Sequence, residues 1–313
     1  MAAVRVAALR LPVQWAVQRL ANQTILFQRG EYIFATFGLF AGLAALVGGT
    51  FGAWFLLAGG ASPWGVAALM AGILVGHLIP ARAFLLPWRL SALRRQPGAV
   101  LRTVEFASWG GMLAIAVCLA LYMALSGTPM LDLTDIAVRS GPLAHAIGRL
   151  GCLSFGCCFG RPTGLALAIR YDNPMAKAVR QAGFRDVPLH PVPVYEAAYN
   201  LALFGFLNVL AVGGAGQGIP TAAYLVLYGA GRFGLEAIRY KNDADRIGPL
   251  QRNQWLSLIM IVSGVVLLPF NGPSPAFETP SAWELIAIAP VLAGCSGIVF
   301  LAYSVHRGTL GRW

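Results

Sequence analysis

Residues 33–57 read IFATFGLFAGLAALVGGTFGAWFLL, 25 positions without a charged side chain. A helix needs about 20 apolar residues to cross the hydrocarbon core of a bilayer. In lipid a continuous backbone must satisfy its own hydrogen bonds, so such a stretch spans as a helix. Working outward from it, further apolar blocks fall at 64–87, 107–125, 131–148, 193–212, 219–238, 254–270 and 283–303. The composition agrees: 58% of residues are hydrophobic and 11% are charged, where a soluble domain carries roughly 25% charged. The expected fold is an all-α, polytopic transmembrane helical bundle of about seven to eight spans, with a polar loop or head region between spans four and five. The chain divides into an interfacial N-terminal segment (1–30), a transmembrane domain (31–270), and a linker with an extra C-terminal span (271–313). The start is basic and weakly amphipathic. It reads as an interfacial segment rather than a signal peptide.

The formal net charge is +11, and Lys177 and Lys241 are the two lysines among the basic residues. Arginines crowd the N-terminus, 82–102, 149–185, 239–252 and the C-terminus, while 58–63, 213–218 and 271–282 hold no Arg or Lys. Every basic connection therefore lies on one side of the membrane. The positive-inside rule would make that side cytoplasmic; the rival reading is that these arginines bind anionic lipid. Nucleic acid is excluded as a partner, because the charge is membrane-adjacent and no nucleic-acid-binding signature accompanies it.

The fourth span is the oddest, with Asp132, Asp135, Arg139 and His145, and it leads into His145-Ala-Ile-Gly-Arg-Leu-Gly-Cys-Leu-Ser-Phe-Gly-Cys-Cys-Phe-Gly-Arg161. Arginine offers a planar fork of donors suited to phosphate. Gly151, Gly156 and Gly160 would let a head group approach the backbone. The run reads as a site for an anionic lipid head group. Cys118 and Cys295 sit in apolar spans and read as core residues. Cys152, Cys157 and Cys158 read as packing at a helix end, or as a disulfide if they face an oxidising compartment. Their spacing is poor for zinc, a fourth ligand is not evident, and nothing in the sequence marks any of them as an activated nucleophile.

Three further constellations stand out. In Leu189-His-Pro-Val-Pro-Val-Tyr-Glu196 the prolines open a helix, leaving His190 outside it and Tyr195 and Glu196 in its first turns. Glu196 is either favoured there by the helix dipole or functional as a buried ionisable group. In Tyr228-Gly-Ala-Gly-Arg-Phe-Gly-Leu-Glu-Ala-Ile-Arg239, Arg232 and Glu236 share a helix face. They form either a structural ion pair or part of a site. Tyr32 marks the entry to the first span, where belt tyrosines are common.

Gly148-Arg149-Leu150-Gly151 with Gly160-Arg161, His190-Pro191 with Tyr195-Glu196, Tyr228-Gly229 with Arg232, Glu236 and Arg239, and Gln254-Trp255-Leu256-Ser257 follow one another. That order resembles phosphatidylglycerol–prolipoprotein diacylglyceryl transferases over roughly 30–270. The resemblance implies transfer of a diacylglyceryl group from phosphatidylglycerol to the lipobox cysteine of secreted preproteins, in a bacterial inner membrane, without metal or soluble cofactor. It implies a catalytic set of Arg149, Arg232, His190 and Glu236. The substrate-binding set is Tyr32, Asp135, Gly151, Gly160, Tyr195, Glu196 and Arg239. His190 enters as a base by chemistry alone. The partners implied are phosphatidylglycerol, lipobox-containing preproteins and membrane lipid. The resemblance also puts the 149–190 loop on the outer face, against the bare charge count.

The chain departs from the family pattern at Cys152, where the best-known members have Asn, and at Cys157, where a Glu often lies. It departs again at Ser108-Trp109-Gly110-Gly111, which lacks the family's histidine, and in the eighth span. Two other classes compete: a relative that binds or translocates anionic lipid without transfer, and a small membrane transporter. The transporter predicts inverted repeats, and the sequence offers none.

Overall fold

The charge-free stretch at 33–57 forms a helix, as its composition demands. In the computed structural model, which describes residues 12–83, 90–95, 108–241, 246–273, 278–307 and 310, that helix is α2 (Thr36–Ala58). Before it come α1 (Pro12–Ala21), β1 (Ile25–Arg29) and β2 (Tyr32–Ala35). After it come α3 (Pro63–Ala71), a π-helical turn (Gly72–Gly76), α4 (Leu78–Ala83) and α5 (Leu90–Arg95). The bundle continues with α6 (Ser108–Ser126), α7 (Met130–Phe155), α8 (Lys177–Ala182), α9 (Val192–Val212) and α10 (Ile219–Ile238). It closes with β3 (Arg246–Ile247), β4 (Leu250–Gln251), α11 (Arg252–Leu267), α12 (Ala282–Ser304) and β5 (Val305–Arg307). All eight apolar blocks contain a helix. The block at 64–87 is broken by the π turn, and residues 84–89 lie outside the described part, as do 1–11, 96–107 and 242–245 of the basic connections. Among the described residues, four helices are long and apolar enough to cross a membrane: 36–58, 63–80, 192–212 and 282–304. Helix α7 misses that standard because it carries the charged residues, and α11 because it is short.

The hairpins bring like ends together. At the neutral end, Glu278 N donates to Ala58 O, and Gln217 Nε2 donates to Asp132 at 2.6 Å. At the basic end, Ser304 Oγ donates to Ala35 O, and β2 pairs with both β1 and β5 in a three-stranded antiparallel sheet. Helix α2 packs mainly on α7 and α12, α9 on α7, and α10 on α11. The expected C-terminal addition is therefore built into the bundle: α12 lies along α2, and its tail completes the sheet.

Over the basic end sits a small head made of α1, α8 and the irregular chain 156–191. Its core holds Ala21, Leu153, Phe159, Ile169, Tyr171, Ala176, Ala178 and Leu189. The Tyr171 hydroxyl donates to Leu153 O at 3.1 Å. Asn22 clamps the loop: Asn173 Nδ2 donates to its carbonyl and Asp172 N to its side chain, both at 2.9 Å. The N-terminal segment thus holds the polar loop in place.

Helix α7 outruns the span expected at 131–148 by seven residues. Gly156 stops it, at φ +69°, and its N–H bonds Cys152 O and Leu153 O. This is the left-handed glycine cap that ends many helices. Arg149, Gly151 and Cys152 consequently ride on a rigid helix and not on a loop.

Candidate functional site

On α7, His145, Arg149 and Cys152 recur at steps of four and three, which places them on one face. That face meets the start of α9 and the end of α10. Arg149 donates through Nη2 to Glu196 Oε1 at 2.8 Å and through Nε to His145 Nε2 at 3.0 Å. Arg232 donates through Nη1 to both Glu196 oxygens, at 3.1 and 3.3 Å. Its Nη2 lies 3.1 Å from Glu236 Oε2. Arg239 Nη1 lies 3.9 Å from the same oxygen, and Lys241 pairs with Glu236 Oε1. Asn253 Nδ2, in the first turn of α11, donates to that oxygen at 3.2 Å.

These groups form one continuous array, and its balance is uneven. Among the described residues, the carboxylates that pair with Arg149, Arg232, Arg239 and Lys241 are Glu196 and Glu236, a surplus of two positive charges. The carboxylates are sealed, at 1% and 0% side-chain exposure, while the four cations keep 12–16%. Buried carboxylates fix the guanidiniums, and the guanidiniums keep an open edge. A buried surplus of this kind requires an anion to offset it, and arginine forks suit a phosphate.

The cysteines join this array. Arg149 Nη1 donates to Cys152 Sγ at 3.7 Å and Cys158 Sγ at 3.6 Å. Hydrogen bonds from Cys152 and Cys157 hold the Cys158 thiol well below the usual thiol range, and the charges of Arg239 and Arg149 add to this. The Cys157 thiol is pushed well up, first by its hydrogen bonding with Cys152. Cys158 is thus the sulfur of the three that lies closest to the influence of both guanidiniums. All three are free thiols in this structure.

The other expected site residues fall in different places. Gly160 is buried in a backbone bridge to Arg239: Gly160 N donates to His190 O at 3.0 Å, and Arg161 N to Ile238 O at 2.9 Å. A Cβ at Gly160 would lie 2.9 Å from each of those two carbonyls, so its glycine serves chain packing and aims the Arg239 segment. Gly151 faces α2, where a Cβ would lie 3.1 Å from Phe40 and 3.2 Å from Phe37, and it too serves close packing rather than a head group. His190 is held through its backbone, with its ring 6.2 Å from that of Tyr195. Tyr195 and Glu196 do open α9, as the prolines indicated. Tyr32 begins β2 at half exposure, on the sheet and apart from the array.

Asp135 stands apart from the array. It lies 14 residues before Arg149 on α7, about 21 Å along the axis. There it caps α10, accepting from Gly218 N at 2.7 Å and Thr221 N at 2.9 Å. Sequence reasoning missed three members of the array. His145 was noted in its motif without a role, and Lys241 and Asn253 were not singled out. The i, i+4 spacing of His145 and Arg149 was a usable signal; nothing local pointed to the other two. Trp109 lies in the first turn of α6, but its side chain is outside the described residues.

Fold and array together define a helical membrane protein with a buried cationic site at one end of its bundle. The chain belongs to the prolipoprotein diacylglyceryl transferase family, whose model matches residues 24–270, and is a transferase of that family. It is 26% identical over 208 residues to the phosphatidylglycerol–prolipoprotein diacylglyceryl transferase 2 of Clostridium perfringens, covering 66% of this chain and 77% of that protein. It is 30% identical over 214 residues to the phosphatidylglycerol–prolipoprotein diacylglyceryl transferase of Symbiobacterium thermophilum, covering 68% and 77%. With that of Synechococcus elongatus it shares 27% over 266 residues, covering 80% and 88%.

Proposed function

We propose that this chain transfers the diacylglyceryl group of phosphatidylglycerol to the thiol of a lipobox cysteine in an exported preprotein. The observation that carries this reading, beside family membership, is the surplus of two positive charges in a site whose carboxylates are fully buried. The donor's leaving group is a glycerol phosphate. As the glycerol carbon–oxygen bond breaks, negative charge grows on the phosphate, and pre-set guanidiniums stabilise that charge without reorganising. Arg149, Arg232 and Arg239 are the clamps. Glu196 and Glu236 are positioning residues that hold the forks at hydrogen-bond distance. His145 Nε2 accepts from Arg149 and helps orient it.

All eight apolar helices cross the bilayer of a bacterial inner membrane, with α7 and α10 turning their charges inward. The head at 156–191 faces outward, where an exported preprotein presents its cysteine. Tyr32, Tyr195 and His190 flank the route from the head. Complementation tests the reading: expression in cells depleted of their own transferase should restore lipidated preproteins, and the Arg232→Ala variant should not. Failure of the wild-type chain to lipidate any preprotein would refute it.

A further inference from the structure

The transfer just proposed needs a taker for one proton, and the carboxylates and His145 of the array do not supply it. The acceptor must react as thiolate, yet Glu196 and Glu236 are both ion-paired, and His145 Nε2 accepts from Arg149. What the site holds instead is a triad of sulfurs. Cys152 lies in the last turn of α7, and the chain folds back over Gly156, so the Sγ atoms of Cys152, Cys157 and Cys158 lie within 4.8 Å of one another. Cys158 adopts φ +59° to bring its sulfur in, a left-handed conformation that a residue with a Cβ adopts at a cost and keeps where function requires it. All three are free, and as residues each is only partly buried.

We propose that Cys152, Cys157 and Cys158 bind a divalent thiophilic cation, zinc by preference, and leave its fourth position open for the acceptor's thiol. The inference rests on the transferase reading. Tetrahedral Zn–S bonds of about 2.3 Å set the sulfurs roughly 3.8 Å apart, inside the 4.8 Å within which the triad's sulfurs lie. Thiolate ligands select soft or borderline cations over magnesium or calcium. Three thiolates and a dication leave one negative charge, which the Arg149 guanidinium, already donating to two of the sulfurs, offsets. Spacing in sequence offered no fourth ligand; an open fourth position is what a catalytic site requires.

The step balances. The acceptor thiol coordinates and releases its proton to solvent. The sulfur lone pair forms the S–C bond to the glycerol carbon as the C–O bond to phosphate breaks. That electron pair leaves with glycerol phosphate, held by the arginines. The thioether product is a weaker ligand than the thiolate and dissociates, and the cation is unchanged.

The test uses the full chain in nanodiscs containing phosphatidylglycerol. Elemental analysis should give one zinc per chain, kept in Cys118→Ser and Cys295→Ser and lowered at least about tenfold in Cys152→Ser and Cys158→Ser. Because those variants could misfold, a second measurement uses wild-type protein loaded with cobalt(II). It should show sulfur-to-cobalt charge-transfer bands, and its visible bands should shift with a lipobox peptide carrying Cys but not with the Ser peptide. A spectrum indifferent to the peptide would overturn the open position. Zinc content unaffected by the substitutions, or a wild-type mass two daltons low with the thiols blocked to maleimide, would overturn the metal site. If the cobalt bands respond to the Cys peptide while the zinc-loaded protein moves no lipid, the metal site stands and the transferase reading falls.

Discussion

The two ends of α7 both bury charge, and they differ in how it is matched. At the neutral end Asp135 is met by backbone N–H groups and Thr221, and Arg139 donates to Asn208 at 3.3 Å and lies 4.0 Å over the ring of Phe55. A cavity of about 720 Å³ opens beside them. At the basic end, among the described residues, four cations share two carboxylates. A buried ionisable residue in a membrane helix is a functional hypothesis by default. The contrast refines that default: charge balanced within its own end, Asp135 against Arg139, ties helices together, whereas surplus charge marks a site.

The largest effect that would sharpen the contrast is expected at Arg232, the cation shared by both carboxylates. Arg232→Ala should lower transfer at least about a thousandfold, on the order of 4 kcal/mol. It should also destabilise the protein by roughly 3–5 kcal/mol, because two buried carboxylates lose their partner. Turnover per folded molecule, with thermal unfolding in detergent alongside, separates the two effects. Transfer that persists would make the array a structural network like the one at the other end.

A smaller loss is expected from Arg149→Lys, which keeps the charge but not the fork. Transfer should fall about tenfold, on the order of 1.4 kcal/mol, and a fully active variant would contradict a phosphate contact. At the opposite end Asp135→Asn should cost about 1–2 kcal/mol of stability through a weakened cap while leaving transfer per folded molecule nearly unchanged. A large loss of turnover there would break the distinction between the two ends.

The smallest perturbation reads topology alone. Gly164 is exposed, and a side chain there meets nothing within 4 Å, whereas Ala176 is buried in the head core and unsuited to a probe. In a variant lacking the native thiols, Gly164→Cys should react with a membrane-impermeant maleimide in intact cells. Labelling only after lysis would place the arginine-rich end inside.

Much of the bundle was legible because apolar length is a local property: Ile33–Leu57 needs no tertiary information to be read as a helix. The Arg232–Glu236 pair was legible for the same reason, being one helical turn apart. The Arg149–Glu196 contact was not, since it joins residues 47 positions apart across two helices. The contacts of Asp135 were not legible either, because only the fold brings the N-terminus of α10 to it. Gly151 and Gly160 show the same limit: a glycine that admits a ligand and one that admits a neighbouring chain look alike in sequence. The thiol triad depends on the turn over Gly156, whose geometry spacing alone does not supply.

The most direct measurement is transfer itself, with purified protein in nanodiscs, phosphatidylglycerol labelled in its diacylglyceryl part, and a lipobox peptide. The account predicts label on the peptide as a thioether, release of glycerol phosphate in equal amount, no product with a Cys-to-Ser peptide, and loss of both products in Arg232→Ala. Binding of phosphatidylglycerol without thioether formation by folded wild-type protein would contradict it.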